Sequence, residues 1–178
     1  SVAKVGIYTR SPIVLDDLGL IASLPDPHIH YSVTPFHRDI MMKIEQIPVL
    51  PRARWEAIRK IKAAGIRTYV NIAPAIPIVS ESLVEEYCAK MAEIGVDEFV
   101  GDPMQAYSDS FRSLETAMMG DAAWPQIRAI MIDKKLYADW KEEFHKMWVK
   151  EWKKVGTPHT NPMWCDHENK VWIDMRTE

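Results

Sequence analysis

At 178 residues the chain is sized for one domain and is long enough to bury a core. Its 47% hydrophobic and 26% charged content excludes a disordered chain, and a net charge of −3 removes any global electrostatic case for nucleic-acid binding. No apolar run reaches the roughly 20 residues that cross a bilayer and no signal-peptide pattern opens the chain, so a soluble, cytoplasmic protein with no membrane partner is expected.

Residues 4–9, KVGIYT, form a β-branched and aromatic run closed by Arg10-Ser11-Pro12. VLDDLGLIASL then carries Leu15, Leu18 and Ile21 at helical spacing, with acidic residues near its start where the helix dipole favours them. Pro25-Asp26-Pro27 is a turn, and His28 to Thr34 reads as a second strand stopped by Pro35. A short helix over Phe36–Lys43 and a connector at 47–51 follow. Arg52 to Ala64 reads as a helix with Trp55, Ile58, Ile61 and Ala64 on one face, ended by Gly65. Arg67 to Ala73 is the third strand. Ser80 is a candidate N-cap for a helix reaching Ile94, closed by Gly95, and 96–101 is the fourth strand, followed by Asp102-Pro103.

Beyond it, 105–154 reads as helical, with Trp140, Phe144, Met147, Trp148 and Trp152 forming a core stripe. The tail is turn-rich and has a short β-like run around Val171–Ile173. Strands alternating with helices imply an α/β fold of parallel strands joined by helical crossovers. The tight turns lie between helix and next strand, whereas the unusual residues follow the strands: Arg10-Ser11-Pro12, Ser32 to Pro35, Ala73-Pro74 and Asp102-Pro103. Ligand chemistry in such folds gathers at those C-terminal strand ends.

Other constellations carry weaker signals. His28 and His30 alternate on one strand face, which suits a partly exposed face better than a metal site. His37 follows a strand end as a loop histidine with a minor claim to acid–base work. The chain has two cysteines, Cys88 and Cys165, in no CxxC pair, which disfavours a zinc ribbon or a self-contained iron–sulfur site. Trp164-Cys165-Asp166-His167 gathers a thiol, a carboxylate and an imidazole without a second ligand pair, unless His159 joins it. Lys141, Lys146, Lys150, Lys153 and Lys154 line the polar side of the last helix, but Glu142, Glu143 and Glu151 interrupt them, so a solvated face is the simpler reading.

The stretch YTRSPIVLDDLGLIASL resembles the third βα unit of radical S-adenosylmethionine (SAM) enzymes of the spore photoproduct lyase-like, DNA repair photolyase-type class. Residues 28–77, from HIHYSVTP through the AGI turn to NIAPAIP, are similar to the next two units, and IGVDEFVGDPMQ to the sixth strand. The resemblance implies a partial (β/α) barrel of parallel strands over 1–104 with a helical C-terminal extension over 105–178, and SAM lying across the strand ends. It implies Arg10 near the SAM carboxylate, Ser32 and Thr34 near its ribose or amino-acid end, and Asn71, Ala73 and Pro74 along the adenine wall. Asp102 and Gln105 would face ligand or substrate, and Cys165 would be a candidate hydrogen-atom donor. It also makes nucleic acid a partner to consider.

The departure from that family is large. The CxxxCxxC loop that holds the [4Fe–4S] cluster is absent, so the cluster is expected only through another segment or a partner chain covering the sheet edge. Without it, the chain is not expected to cleave SAM alone. The competing expectation is a non-catalytic α/β ligand-binding or protein-interaction module.

Overall fold

Period-2 alternation governs the centre of the molecule. In β2 (His28–Val33) the odd-numbered Ile29, Tyr31 and Val33 are buried while His28, His30 and Ser32 are only partly so. β3 (Arg67–Ala75) repeats this, with Val70 and Ile72 inside and Tyr69 and Asn71 on the other side. The structure, a computed structural model, describes residues 5–45, 49–166 and 171–177. β1 (Gly6–Thr9), β2, β3, β4 (Glu98–Pro103), β5 (Asn161–Asp166) and β6 (Val171–Asp174) form one six-stranded sheet in chain order. Strands β1 to β5 run parallel and β6 returns antiparallel to β5.

The buried face carries the helices. α3 (Pro51–Ala63), α4 (Val84–Ile94) and the long α7 (Lys134–Val155) bring Trp55, Ile58, Tyr87, Met91, Phe144, Trp148 and Trp152 against Val70, Ile72 and Phe99. Each large apolar side chain buried there contributes about 1.5–3 kcal/mol before entropy is counted. The turns that return the chain to the sheet need glycine: Gly65 and Gly95 sit at φ 76° and 70°, and after Gly95 the Val96 amide donates back to the Met91 carbonyl.

A second apolar cluster caps the C-terminal strand ends. It joins Phe36, Met41, Ile76 and Met104 to residues of α2 (Arg38–Ile44), α5 (Asp109–Ala117), α6 (Trp124–Ile132) and the start of α7. Between the two clusters lies a buried polar knot, in which the Arg54 guanidinium pairs with Glu45 and donates to the Val49 carbonyl.

Three local expectations change. The helix expected over 14–24 opens as a 3₁₀ turn, Pro12–Asp17, before α1 (Leu18–Ala22), because Ser11 Oγ accepts the Ile13 amide and Pro12 starts a tight turn. The region 105–154, expected to be helical, is divided into α5, α6 and α7 by turns around Gly120 and Asp133. The tail holds two strands: Glu98 pairs with Asn161 and Gly101 with Trp164, so 161–166 continues the parallel sheet. Pro162 concealed this strand, yet it lies beyond the β6 ladder, which begins at Met163, so no partner on that side lacks a donor. No described helix is long and apolar enough to cross a membrane.

Candidate functional site

The face of the sheet opposite the helices is built from two rows of registered residues. One runs Tyr8, His30, Tyr69, Glu98, Asn161, and the next Ser32, Asn71, Val100, Met163, Asp174. In a flat sheet, five steps of about 4.8 Å would hold β1 and β6 about 24 Å apart. Tyr8 of β1 and Trp172 of β6 nevertheless line one cleft of about 290 Å³, together with His30, Asn71, Glu98, Val100, Asp102 and Met163. The sheet is therefore curled, with this face concave, as in part of a barrel.

At the β1 side of the cleft the rings form a platform. Tyr8 and His30 stack at 4.1 Å with planes 10° apart, and Tyr69 meets His30 edge-on at 4.6 Å. His28 stands 5.5 Å from His30, over Gly6, where a Cβ would come within 2.5 Å of His28 Nε2. Burial, and then the neighbouring His28, hold the His30 imidazole below its ordinary range. Across the cleft lie the carboxylates of Glu98 and Asp102, and Asn161 Nδ2 donates to Glu98 Oε2 at 2.9 Å. Aromatic faces, two carboxylates and a carboxamide together favour a cationic ligand with a planar group.

Of the residues named from the sequence, Ser32, Asn71 and Asp102 lie on this face. Ser32 and Asn71 are direct partners across β2 and β3, and Asn71 and Asp102 line the cleft. Ala73 and Pro74, joined by a cis peptide bond, form the irregular end of β3 where its register with β4 shifts. Arg10 is exposed just past β1, and its carbonyl accepts the Tyr31 hydroxyl at 3.1 Å. Thr34 stands apart. It is buried, donates to Glu45 Oε1 at 3.0 Å and accepts from Arg54 Nη1, while its carbonyl takes the Tyr87 hydroxyl. The chain leaves the strand at Val33, and the buried ion pair claims the next hydroxyl.

Gln105 and Cys165 line a different cavity, of about 280 Å³, between the loop after β4, the end of α6 and one face of α7. Cys165 is buried in β5. Cys88 is buried on α4, and burial pushes its thiol up to about 12, with Glu151 adding to the effect. Among the described residues, no group of three His, Cys, Asp or Glu side chains could hold a metal ion. His28 and His30 share a face as expected but belong to the ring platform, and His37 Nε2 meets Ser82 Oγ at 2.8 Å. His167 lies outside the described residues. On the last helix, Lys146 is paired with Glu142 at 2.7 Å and Lys154 with Glu151 at 2.5 Å, which offsets the basic face.

Sequence reasoning passed over Tyr8, Glu98 and Trp172. Only the alternation of His28 and His30 marked the second face, and nothing local says that β1 and β6 border one cleft.

The curled sheet with helices on one side has counterparts of known structure. The fold is similar to half of spore photoproduct lyase. A double mutant of that enzyme with bound AdoMet and dinucleoside spore photoproduct superposes with a TM-score of 0.62 at 15% identity, over 89% of this chain and 50% of the lyase. A single mutant carrying the dinucleoside photoproduct gives 0.58 at 15% identity, with the same coverage. In sequence, the chain is 30% identical over 150 residues to the uncharacterized protein ORF301 of Acidianus two-tailed virus, covering 81% of this chain and 46% of that protein. The chain thus spans about half the length of the relatives it matches. No family model matches the sequence.

Proposed function

We propose that this chain is the ligand-facing C-terminal portion of a radical SAM enzyme, catalytically dependent on a cluster-bearing segment. The observation that carries this reading is the concave cleft, whose carboxylates and rings lie on the strand face that a barrel turns inward. Its residues suit SAM: Glu98 and Asp102 set negative charge where a sulfonium would lie, and Tyr8 and Trp172 offer ring faces. Asn71 and the Ala73-Pro74 wall suit the edge and face of adenine. A Ser32 hydroxyl suits a ribose hydroxyl, and the Arg10 guanidinium, just past β1, suits the carboxylate.

The [4Fe–4S] cluster does not fit this chain. Three thiolates are needed and the sequence holds two cysteines, one on α4 against the core and one in β5. A segment carrying the cluster would extend the sheet from β1, which among the described residues is paired only with β2. When bound to such a cluster, SAM supplies radical chemistry by reductive cleavage of its C–S bond. This chain's own part is to orient the cation, wall off the adenine and present Gln105 and Cys165 beside the substrate, with Cys165 as the candidate hydrogen-atom donor. A nucleic-acid substrate draws support from the photoproduct bound in the similar lyase.

The second reading is a binding module that holds a nucleotide-like cation in the same cleft without turnover, favoured by the ring platform formed within this chain alone. Both readings require the cleft to take SAM in preference to S-adenosylhomocysteine, whose sulfur is neutral, and Glu98→Gln with Asp102→Asn to remove that preference. Co-expression with a CxxxCxxC-bearing reading frame separates the two. Formation of 5′-deoxyadenosine under reducing conditions supports the enzyme, and SAM bound without cleavage supports the module.

A further inference from the structure

The rings at the β1 side of the cleft include two that can become cations. His30 lines the cleft between Tyr8, stacked on it at 4.1 Å, and Tyr69, which meets it edge-on at 4.6 Å. His28 stands 5.5 Å away on the same strand face. Two imidazoles so close resist carrying charge together, so the pair takes its first proton more readily than its second.

The surroundings give that proton no fixed counter-charge. β1 presents the Tyr8 phenol to His30, β2 presents His28, and β3 presents the Tyr69 phenol. Arg67, the register partner of His28, is paired with Asp26. His28 Nδ1 lies 3.4 Å from the Asp26 carbonyl, and among the described residues neither imidazole is ion-paired with a carboxylate. The acidic groups of the cleft are Glu98, one step beyond Tyr69 in the same row, and Asp102. Those are the carboxylates proposed to hold the sulfonium.

A proton on His30 therefore sets a second cation in the cleft. It repels a ligand cation there and draws on the same carboxylates. Its stack on Tyr8 also becomes a cation–π contact, which takes up part of a ring offered to the ligand. Burial, and then His28, hold the imidazole below its ordinary range, so the neutral ring prevails near neutral pH.

We propose that the His28–His30 pair makes the cleft's hold on its cation acid-sensitive, the ligand being held while both imidazoles are neutral and released when His30 takes a proton. This deepens the reading of the cleft as a SAM site and rests on it. A sulfonium has no proton to lose, so its charge stays fixed while that of His30 changes.

The test is calorimetric titration of the full chain with SAM from about pH 7.5 to 5, a window that ends above the ordinary carboxylate range. Affinity is expected to fall about three- to tenfold as pH drops, with a slope of no more than about one proton, and S-adenosylhomocysteine to lose less. His30→Phe, which keeps a ring beside Tyr8 but cannot titrate, should flatten the curve. His37→Gln, which removes an imidazole outside the cleft, should keep it. Should His30→Phe lose its circular dichroism, His30→Gln takes its place. By linkage, saturating SAM should lower the pH at which the His30 ring protons titrate in NMR spectra of the parent chain. An affinity level across the window, a fall that survives without His30, or an equal fall with S-adenosylhomocysteine overturns this inference alone. SAM binding at no pH overturns the reading of the cleft and this inference with it.

Discussion

Cys165 and Trp172 stand directly opposite each other in the antiparallel β5–β6 pair, so a buried thiol and a ring 61% exposed share one face of the sheet. The thiol borders the lysine-lined cavity and the ring borders the carboxylate-lined cleft. Removing the ring with Trp172→Ala should open Cys165 to solvent and raise its rate of labelling by a disulfide reagent at least about tenfold. Cys88, its thiol pushed up to about 12, should stay unlabelled at pH 8 until the chain unfolds. Equal labelling of Cys165 in both proteins would show that Trp172 does not cover it.

Arg54 and Glu45 form an ion pair in which both side chains are almost wholly buried. Arg54→Met should cost about 3–5 kcal/mol, because the Glu45 carboxylate and the Thr34 hydroxyl lose their partner away from water. Adding Glu45→Leu should recover most of that loss, since an apolar pair removes the stranded charge. Denaturant unfolding of the single and double variants checks this, and a double variant no more stable than the single would refute it.

His30 makes stability depend on pH. Its folded pKa is held below the ordinary 6.5, so above that value both states are neutral and nothing is lost. As pH falls below 6.5 the unfolded chain takes up a proton that the folded chain resists, and stability declines until the folded pKa is passed. His30→Gln should therefore show a shallower fall in unfolding free energy between about pH 7 and 5 than the parent chain. Parallel curves for the two proteins would count against it.

Gly101 allows Trp164 to lie flat on β4. A Cβ at 101 would meet the Trp164 ring at 2.7 and 2.9 Å, so Gly101→Ala should destabilise by about 1–3 kcal/mol. Trp164→Leu should cost less in that background than in the parent, because the clash is then already relieved; thermal melts of the four proteins measure the coupling.

Much of the architecture could be read along the chain. Gly65 and Gly95 marked the helix ends, and the alternation of His28 and His30 marked one face of β2. Asn71 and Asp102, which the family resemblance implied beside a ligand, are among the residues that line the cleft. What escaped depends on residues far apart. Thr34 is drawn inward by Arg54, 20 positions away, and β5 was hidden by Pro162 because its tolerance there comes from where β6 begins. Tyr8 and Trp172 lie at opposite edges of the sheet, and only its curl makes them neighbours of one cleft.

The central claim is that the concave face reads a sulfonium cation. Titration of the chain with SAM and with S-adenosylhomocysteine, followed by the side-chain resonances of His30 and Tyr69, tests it most directly. SAM binding at least about tenfold more tightly, with the preference lost in Glu98→Gln with Asp102→Asn, is the predicted result. Equal affinity for the two ligands, or a preference that survives the double substitution, would contradict it.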